Sequence, residues 1–344
     1  MTMSAAGQAR EGGEPGEPGP AAGAVRRDWL APFEVDVRLA LGVHRRGSGD
    51  PAFRTEPSGA IWRTSLTPDG PGTLRVTAAA AQPGPEPPGP GTPGPEPPGP
   101  RTPVTALAWG PGAGWLLESL PDLLGAADRP DAFRPGHPLL RELVVRFAGL
   151  RIGRSGRVWE ALVPAVLEQK VVGLEAFRAW RLLLRRFGLP APGPAPAGMR
   201  VCPPPAVWAA VPSWEWHRAG VEGVRAATIR GAARVAGRLE QAAGLPGEQA
   251  DRRLQYLPGI GPWTSAEIRQ RACGDADAVS VGDYNLPAAV GWALAGRKVD
   301  DAGMLELLAP YAGHRHRAAR LIELSGIRPP RRGPRMPVRD YRSF

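Results

Sequence analysis

LPGIGPWTSAEI, residues 257–268, places two glycines two positions apart between segments that read as helix. Residues 247–256 upstream and 263–271 downstream look helical, and Pro262 suits a first helical position, where its missing N–H is no loss. Glycine weakens a helix, so the turn between the two must need bare backbone. A helix, a two-glycine turn and a second helix form a hairpin whose backbone N–H groups can converge on one anion. Glycine leaves no Cβ to hold a phosphate away, and the second helix offers unpaired N–H groups and the positive end of its dipole. Leu257 and Ile260 are spaced to pack between the helices. Together with Gly259, Gly261 and Thr264 they make up a candidate phosphate-binding hairpin. Such a contact is blind to base sequence. An ordinary tight helix–helix turn is the plainer reading.

Around this stretch the composition favours a polyanionic partner. The chain has 344 residues and a formal net charge of +10, with a pI near 10.7. Only Lys170 and Lys298 are lysines, so almost all the basic charge is arginine, the better bidentate phosphate ligand. Codon bias in a GC-rich genome would give the same arginine, alanine, glycine and proline excess. Cys202 and Cys273 are the only cysteines. Two cysteines exclude a cluster needing four and a Cys-rich zinc site, and suit a reducing cytoplasm. The five histidines are scattered, so neither a metal nor any other cofactor is expected. No apolar stretch is long enough to span a bilayer, and the N-terminus lacks the apolar core of a signal peptide. These features imply a soluble, cytoplasmic protein.

The text divides into an N-terminal part and a helical part. Residues 1–24 are rich in Gly, Pro, Ala and Glu and are expected to be disordered. FEVDVRLAL (33–41) alternates apolar and polar residues and reads as a half-buried strand. IWRTSL and TLRVTA flank TPDGPG as a hairpin, with Asp69-Gly70 in the turn. GPEPPGPGTP and GPEPPGPRTP then form a tandem repeat that cannot bury apolar surface. VTALAW beyond it reads as another strand, so the Pro/Gly-rich segment 81–103 interrupts a domain and does not separate two. GWLLESLPDLLGAAD supplies a short helix pair. The expected organisation is a small antiparallel sheet with helices over 25–135, a mainly helical domain over 136–325, and a basic tail over 326–344. In the helical part LLRELVVRFAGL sets Leu139, Leu140, Leu143, Val144, Phe147 and Leu150 on one face. Pro164 inside the next helix should kink it or mark its start. RHRAARLIELSG reads as the last helix.

A second signal is VSVGDYNLP, where Asp283 follows Gly282 at the opening of a helix. Alone it is most simply a capping residue. The two-glycine hairpin followed by a Gly/Val-rich loop ending in Asp resembles the helix-hairpin-helix DNA glycosylases, and within them the 3-methyladenine DNA glycosylase II branch. ALVPAVLEQKVVG is similar to that branch's helix and loop beside the base pocket, and YAGHRHRAARLIELSG to its closing helix. The resemblance spans roughly residues 30–325 apart from the Pro/Gly insertion.

That resemblance implies an α+β N-terminal domain followed by a helical glycosylase domain. It also implies a monomer acting on double-stranded DNA with damaged bases, without a membrane or a required protein partner. The enzyme would flip a nucleotide out of the duplex and cleave its N-glycosidic bond. Asp283 would stabilise positive charge on the deoxyribose and orient or deprotonate water. Trp263, Gln169 and His314 would line the base pocket. Trp263 would stack on a cationic alkylated base, or else serve as a core aromatic at a helix start. Enzymes of this fold that nick the strand carry a lysine where Trp263 stands, so a monofunctional enzyme is implied. Lys170 occupies the place of an apolar residue that fills the gap left by the flipped base. Glu267 stands where an aromatic is found and is expected to be a surface helix carboxylate. A DNA-binding protein without catalysis, or a glycosylase for another lesion such as hypoxanthine or an etheno adduct, stays open.

Overall fold

The structure is a computed structural model that describes residues 23–84 and 99–330. Its N-terminal part is a five-stranded antiparallel sheet of β1 (Val25–Ala31), β2 (Phe53–Thr55), β3 (Ile61–Thr67), β4 (Gly70–Ala78) and β5 (Thr102–Trp109), in the order β1-β5-β4-β3-β2. Alternation builds the sheet's buried face. In β5, Val104, Ala106 and Ala108 are buried, and they pack with Leu74 and Val76 of β4. Helices α1 (Val37–Gly42), α2 (Ala113–Glu118) and α3 (Leu120–Leu123) supply Leu41, Leu116, Leu117, Leu120 and Leu123 to the same core.

Two expectations are corrected here, and one unexpected strand appears. FEVDVRLAL is not a strand, because Asp36 caps a helix inside it: its Oδ1 accepts from the N–H of Arg38 at 2.7 Å and of Leu39 at 3.2 Å. Val37, Ala40 and Leu41 then share the buried face, so the helical period overrides the alternation. The strand lies upstream, in VRRDWLA, an edge strand too polar to announce itself. In the β3–β4 hairpin Thr67 pairs with Gly70, so Pro68 and Asp69 form the turn and Gly70 starts the next strand.

The Pro/Gly-rich segment lies in sequence between β4 and β5. Strands β4 and β5 are antiparallel neighbours on either side of it, and a bridge between Gln82 and Arg101 closes the stem. Residues 102 and 103, counted with the insertion from sequence, belong to β5. Most of the segments expected to be disordered, 1–22, 85–98 and 331–344, lie outside the described residues.

The second part holds helices α4 (Pro138–Arg146), α5 (Val158–Leu167), α6 (Gly173–Phe187), α7 (Pro205–Ala210), α8 (Ser213–Arg218), α9 (Gly223–Arg234), α10 (Ala236–Glu240), α11 (Gly247–Gln255), α12 (Pro262–Ile268), α13 (Leu286–Ala295), α14 (Asp301–Leu308) and α15 (Arg315–Ser325). Its centre is α5, in which every residue except Glu160 is buried. Pro164 lies within α5 and does not start it. Glu240 takes the place of a cap, accepting from Val158 N at 2.8 Å and Trp159 N at 3.1 Å.

The polar ties between the parts include two that fix α5 and α15. Glu160 reaches out of α5 to β3, accepting from the Arg63 guanidinium at 3.1 Å, Ser65 Oγ at 2.6 Å and Leu66 N at 2.5 Å. Asp128 is buried against Arg317 of α15 and accepts from Ile152 N at 2.9 Å. A charge taken out of water needs partners of this kind. With both ties made, the C-terminal end of α1 lies against the turn after α12, where Arg271 Nε donates to Val43 O at 2.9 Å.

Candidate active site

The hairpin is formed as the sequence reads. Helix α11 ends at Gln255, Ile260 N donates to Leu257 O at 3.0 Å to close the turn, and α12 starts at Pro262. Ile260 is buried and Leu257 packs partly against the same core. The two glycines serve different needs. Gly259 has φ +89°, and a Cβ there would lie 2.2 Å from Thr228 Oγ1 of α9, so the fold itself demands glycine. Gly261 has an ordinary φ of −97° and nothing within 4 Å of a Cβ position. No contact within the protein accounts for glycine at 261.

Gln169, expected to line a pocket, braces the hairpin instead. Its Nε2 donates to Gly259 O at 2.9 Å and to Thr264 Oγ1 at 2.8 Å, tying the loop after α5 to the turn. The next residue, Lys170, is exposed and takes a left-handed backbone, φ 55°, the one such non-glycine residue among those described. Residues held in that region cost about 1–3 kcal/mol and gather at functional sites.

Behind the hairpin, between α12, α15 and the end of α1, lies a cavity of about 240 Å³. Trp263, the second residue of α12, and Asp283 both line it, and Trp263 Nε1 donates to Asp283 Oδ2 at 3.2 Å. The other oxygen, Oδ1, accepts from Asn285 N at 2.7 Å and Leu286 N at 2.8 Å. Asp283 thus holds two backbone N–H groups at the start of α13, whose N-cap position is Asn285. It also keeps one oxygen at the cavity, aimed by an indole N–H.

Glu267 is not a surface carboxylate. One turn beyond Trp263 on α12, it lines the cavity with its side chain only 14% exposed, paired with Arg271 at 2.8 Å. Its other oxygen accepts from Ser280 Oγ at 2.7 Å, and Gln270 Nε2 donates to Ser280 Oγ at 2.9 Å. Burial alone would raise the Glu267 carboxyl, but Arg271, the Ser280 hydroxyl and Arg46 together hold it below the ordinary value. Burial likewise opposes the Arg271 charge, and the carboxylates of Glu267 and Glu168 outweigh it.

His314 stays outside the cavity. Its ring centroid lies 5.7 Å from that of Phe133, and its Nδ1 accepts from Arg317 Nε at 3.3 Å. The face of α15 that lines the cavity is His316, Ala319, Arg320 and Glu323, at i, i+3, i+4 and i+7. That spacing is visible in the sequence and singles out His316 in place of His314. Burial, reinforced by Arg320, pushes His316 down to about 3, so its imidazole is neutral near pH 7. Of the described residues lining the cavity, Trp263 alone is a Trp, Tyr or Phe.

Compared with solved structures, the fold is similar to that of a 3-methyladenine DNA-glycosylase from Archaeoglobus fulgidus. The TM-score is 0.68 at 18% identity, covering 87% of this chain and 98% of that one. It is also similar to an 8-oxoguanine glycosylase/lyase from Clostridium acetobutylicum, solved with double-stranded DNA, at a TM-score of 0.58 and 11% identity over 86% of this chain and 93% of that one. A third likeness is to MBOgg1 in complex with a low-affinity DNA ligand, with a TM-score of 0.61 and 14% identity over 88% and 95% of the two chains. No family model matches the chain, and no curated protein matches its sequence. The chain has the fold of the helix-hairpin-helix DNA glycosylases.

Proposed function

We propose that this chain is a base-excision DNA glycosylase that binds damaged duplex DNA, takes one nucleotide into the cavity behind α12 and hydrolyses its N-glycosidic bond. The observation that carries the reading is the link from hairpin to carboxylate. Gly261 leaves the turn open to a phosphate, and two residues later Trp263 holds Asp283 at the cavity wall. Grip on the backbone and aim of the carboxylate therefore share one short piece of chain.

The chemistry follows from that placement. As the C1′–N bond breaks, its electron pair goes to the base and positive charge gathers on the sugar, where the Asp283 carboxylate stabilises it. Water adds at C1′ and passes its proton to Asp283. A base alkylated at a ring nitrogen is already cationic and departs neutral, so alkylated purines of the 3-methyladenine class fit a site whose carboxylate serves the sugar. No lysine lines the cavity among the described residues, which supports a monofunctional hydrolase without a Schiff base. Lys170, exposed beside the hairpin, suits the gap left by the flipped base. The enzyme needs no cofactor in this scheme and acts as a cytoplasmic monomer on chromosomal DNA.

The test is release of free bases from methylated duplex DNA by the wild type and by Asp283→Asn, with the bases separated by chromatography. The wild type should release 3-methyladenine or 7-methylguanine. The variant should keep its affinity for duplex DNA and lose release by at least about a hundredfold. Release unchanged by Asp283→Asn would sink the mechanism. Duplex affinity should also fall steeply with added salt.

A further inference from the structure

Residues 168–172 join α5 to α6, and the middle one, Lys170, takes the left-handed backbone with φ 55°. After a helix that conformation ordinarily falls to glycine, which adopts it without a Cβ penalty. Lysine there is the costlier choice and implies a use for its side chain. That side chain is exposed, and it makes no hydrogen bond or ion pair with a described residue. The neighbours before it are held firmly. Glu168 faces Arg46 of the N-terminal part at 3.6 Å, and the Arg46 side chain is only 7% exposed. Gln169 commits both amide hydrogens to the hairpin, at 2.9 Å to Gly259 O and 2.8 Å to Thr264 Oγ1.

We infer that Gln169 is a positioning residue that locks Lys170 to the hairpin, so that the phosphate grip and the group that fills the vacated space meet DNA as one rigid unit. The inference rests on the glycosylase reading, in which Lys170 enters the gap left by the flipped nucleotide. A non-glycine residue persists in the left-handed region only where its surroundings over-determine it. Gln169 supplies that constraint from the hairpin side, and it holds the hairpin at two points. One is Gly259, whose backbone lies so close to Thr228 of α9 that a Cβ there would come within 2.2 Å of its Oγ1. The other is Thr264, buried on the first turn of α12 beside the Trp263 that aims Asp283. Neither point has room to drift, so the backbone before Lys170 inherits a fixed place relative to the turn.

The benefit is preorganisation. A loose lysine loop would have to be ordered each time it entered the duplex, and that ordering would count against the flipped state. Held beforehand, it is already ordered when DNA arrives. The lysine stem then occupies space between bases, and its ammonium can donate to base or phosphate oxygens at the edge of the gap. A brace needed only for folding would act on stability and leave the reaction alone. A positioning residue acts on the reaction through Lys170, and the two roles are separable by experiment.

The experiment uses a duplex with a single 7-methylguanine and a 2-aminopurine next to it, whose fluorescence rises when its neighbour leaves the stack. Wild type, Gln169→Met, Lys170→Ala and the double variant are compared for duplex affinity, fluorescence rise and single-turnover base release. Each single variant should bind within about threefold of wild type and lose about tenfold in both fluorescence rise and release. The double variant should lose no more than either single one, because Gln169 acts through Lys170. Lys170→Gly, which relieves the backbone, should raise the thermal midpoint by about 2 °C while losing release as Lys170→Ala does. Thr264→Val removes one of the two acceptors and gives a milder form of the same loss should Gln169→Met not fold. Losses that add in the double variant overturn the inference, as does full release by Gln169→Met or a loss of affinity in step with release. Full release by Lys170→Ala overturns it too, while the parent reading then stands. No release of 7-methylguanine by the wild type brings down the parent reading, and this inference with it.

Discussion

The hairpin turn at 257–261 lies a few residues before Glu267, the first carboxylate of the cavity wall on α12, and turn and wall are built in opposite ways. The turn offers bare backbone, with its glycines, its buried Ile260 and its closing hydrogen bond all inside one short stretch. The wall offers buried charge, assembled from the ends of α1, α5, α12 and α15 and from the loop before α13. Backbone chemistry of the first kind is a local property. Side-chain chemistry of the second kind exists only once the chain has folded, because each charge depends on a partner elsewhere.

Substitutions on the two sides should therefore fail differently. Glu267→Ala should have the largest effect, lowering unfolding stability by about 3–5 kcal/mol in denaturant titration, since Arg271 would be left buried without its carboxylate. An unfolding curve close to wild type would mean the wall is not held by that pair. Gly259→Ala follows, costing about 2–3 kcal/mol through its positive φ and the clash with Thr228. Adding Thr228→Ala should recover part of that loss.

Acid should also act on the wall before the turn. The unfolded His316 takes up a proton below its ordinary value of 6.5, while the folded one, held near 3, does not, so stability falls as pH drops from about 6.5. His316→Asn should remove about 1–2 kcal/mol of that loss at pH 5, read by thermal unfolding across pH. Trp263→Phe keeps an aromatic face and deletes the N–H that aims Asp283. Its expected result is about a tenfold lower rate of base release, with duplex affinity unchanged. Gly261→Ala should barely move the unfolding midpoint, within about 0.5 kcal/mol. It should nonetheless weaken duplex binding, and a variant that binds as tightly as wild type would remove the case for a phosphate at that turn.

The same contrast governs what the sequence disclosed. The hairpin, the β3–β4 pair, the α2–α3 pair and α15 were legible because periodicity, caps and turn residues act over a few positions. FEVDVRLAL misled because its alternation is genuine, and only the Asp36 cap decides for helix. Val25–Ala31 was missed because an edge strand has little apolar face to show. Asp283 and Trp263 are singled out through resemblance, and the hydrogen bond between them was not predictable from spacing. Glu267 was misplaced because an isolated glutamate on a helix is ordinarily solvated, and its partner Ser280 arrives only when the chain returns. Gln169 was given a pocket role because the tie from its loop to Gly259 spans ninety positions.

The closed stem between β4 and β5 has a practical side. With Gln82 and Arg101 paired, the chain leaves and re-enters the sheet at one point, so sequence added there does not have to find its own way back. Each doubling of a flexible loop's length costs only about 0.6 kcal/mol in closure entropy. The sheet thus carries a ready-made port, where a fluorescent reporter or a tether could be housed without touching the hairpin or the cavity.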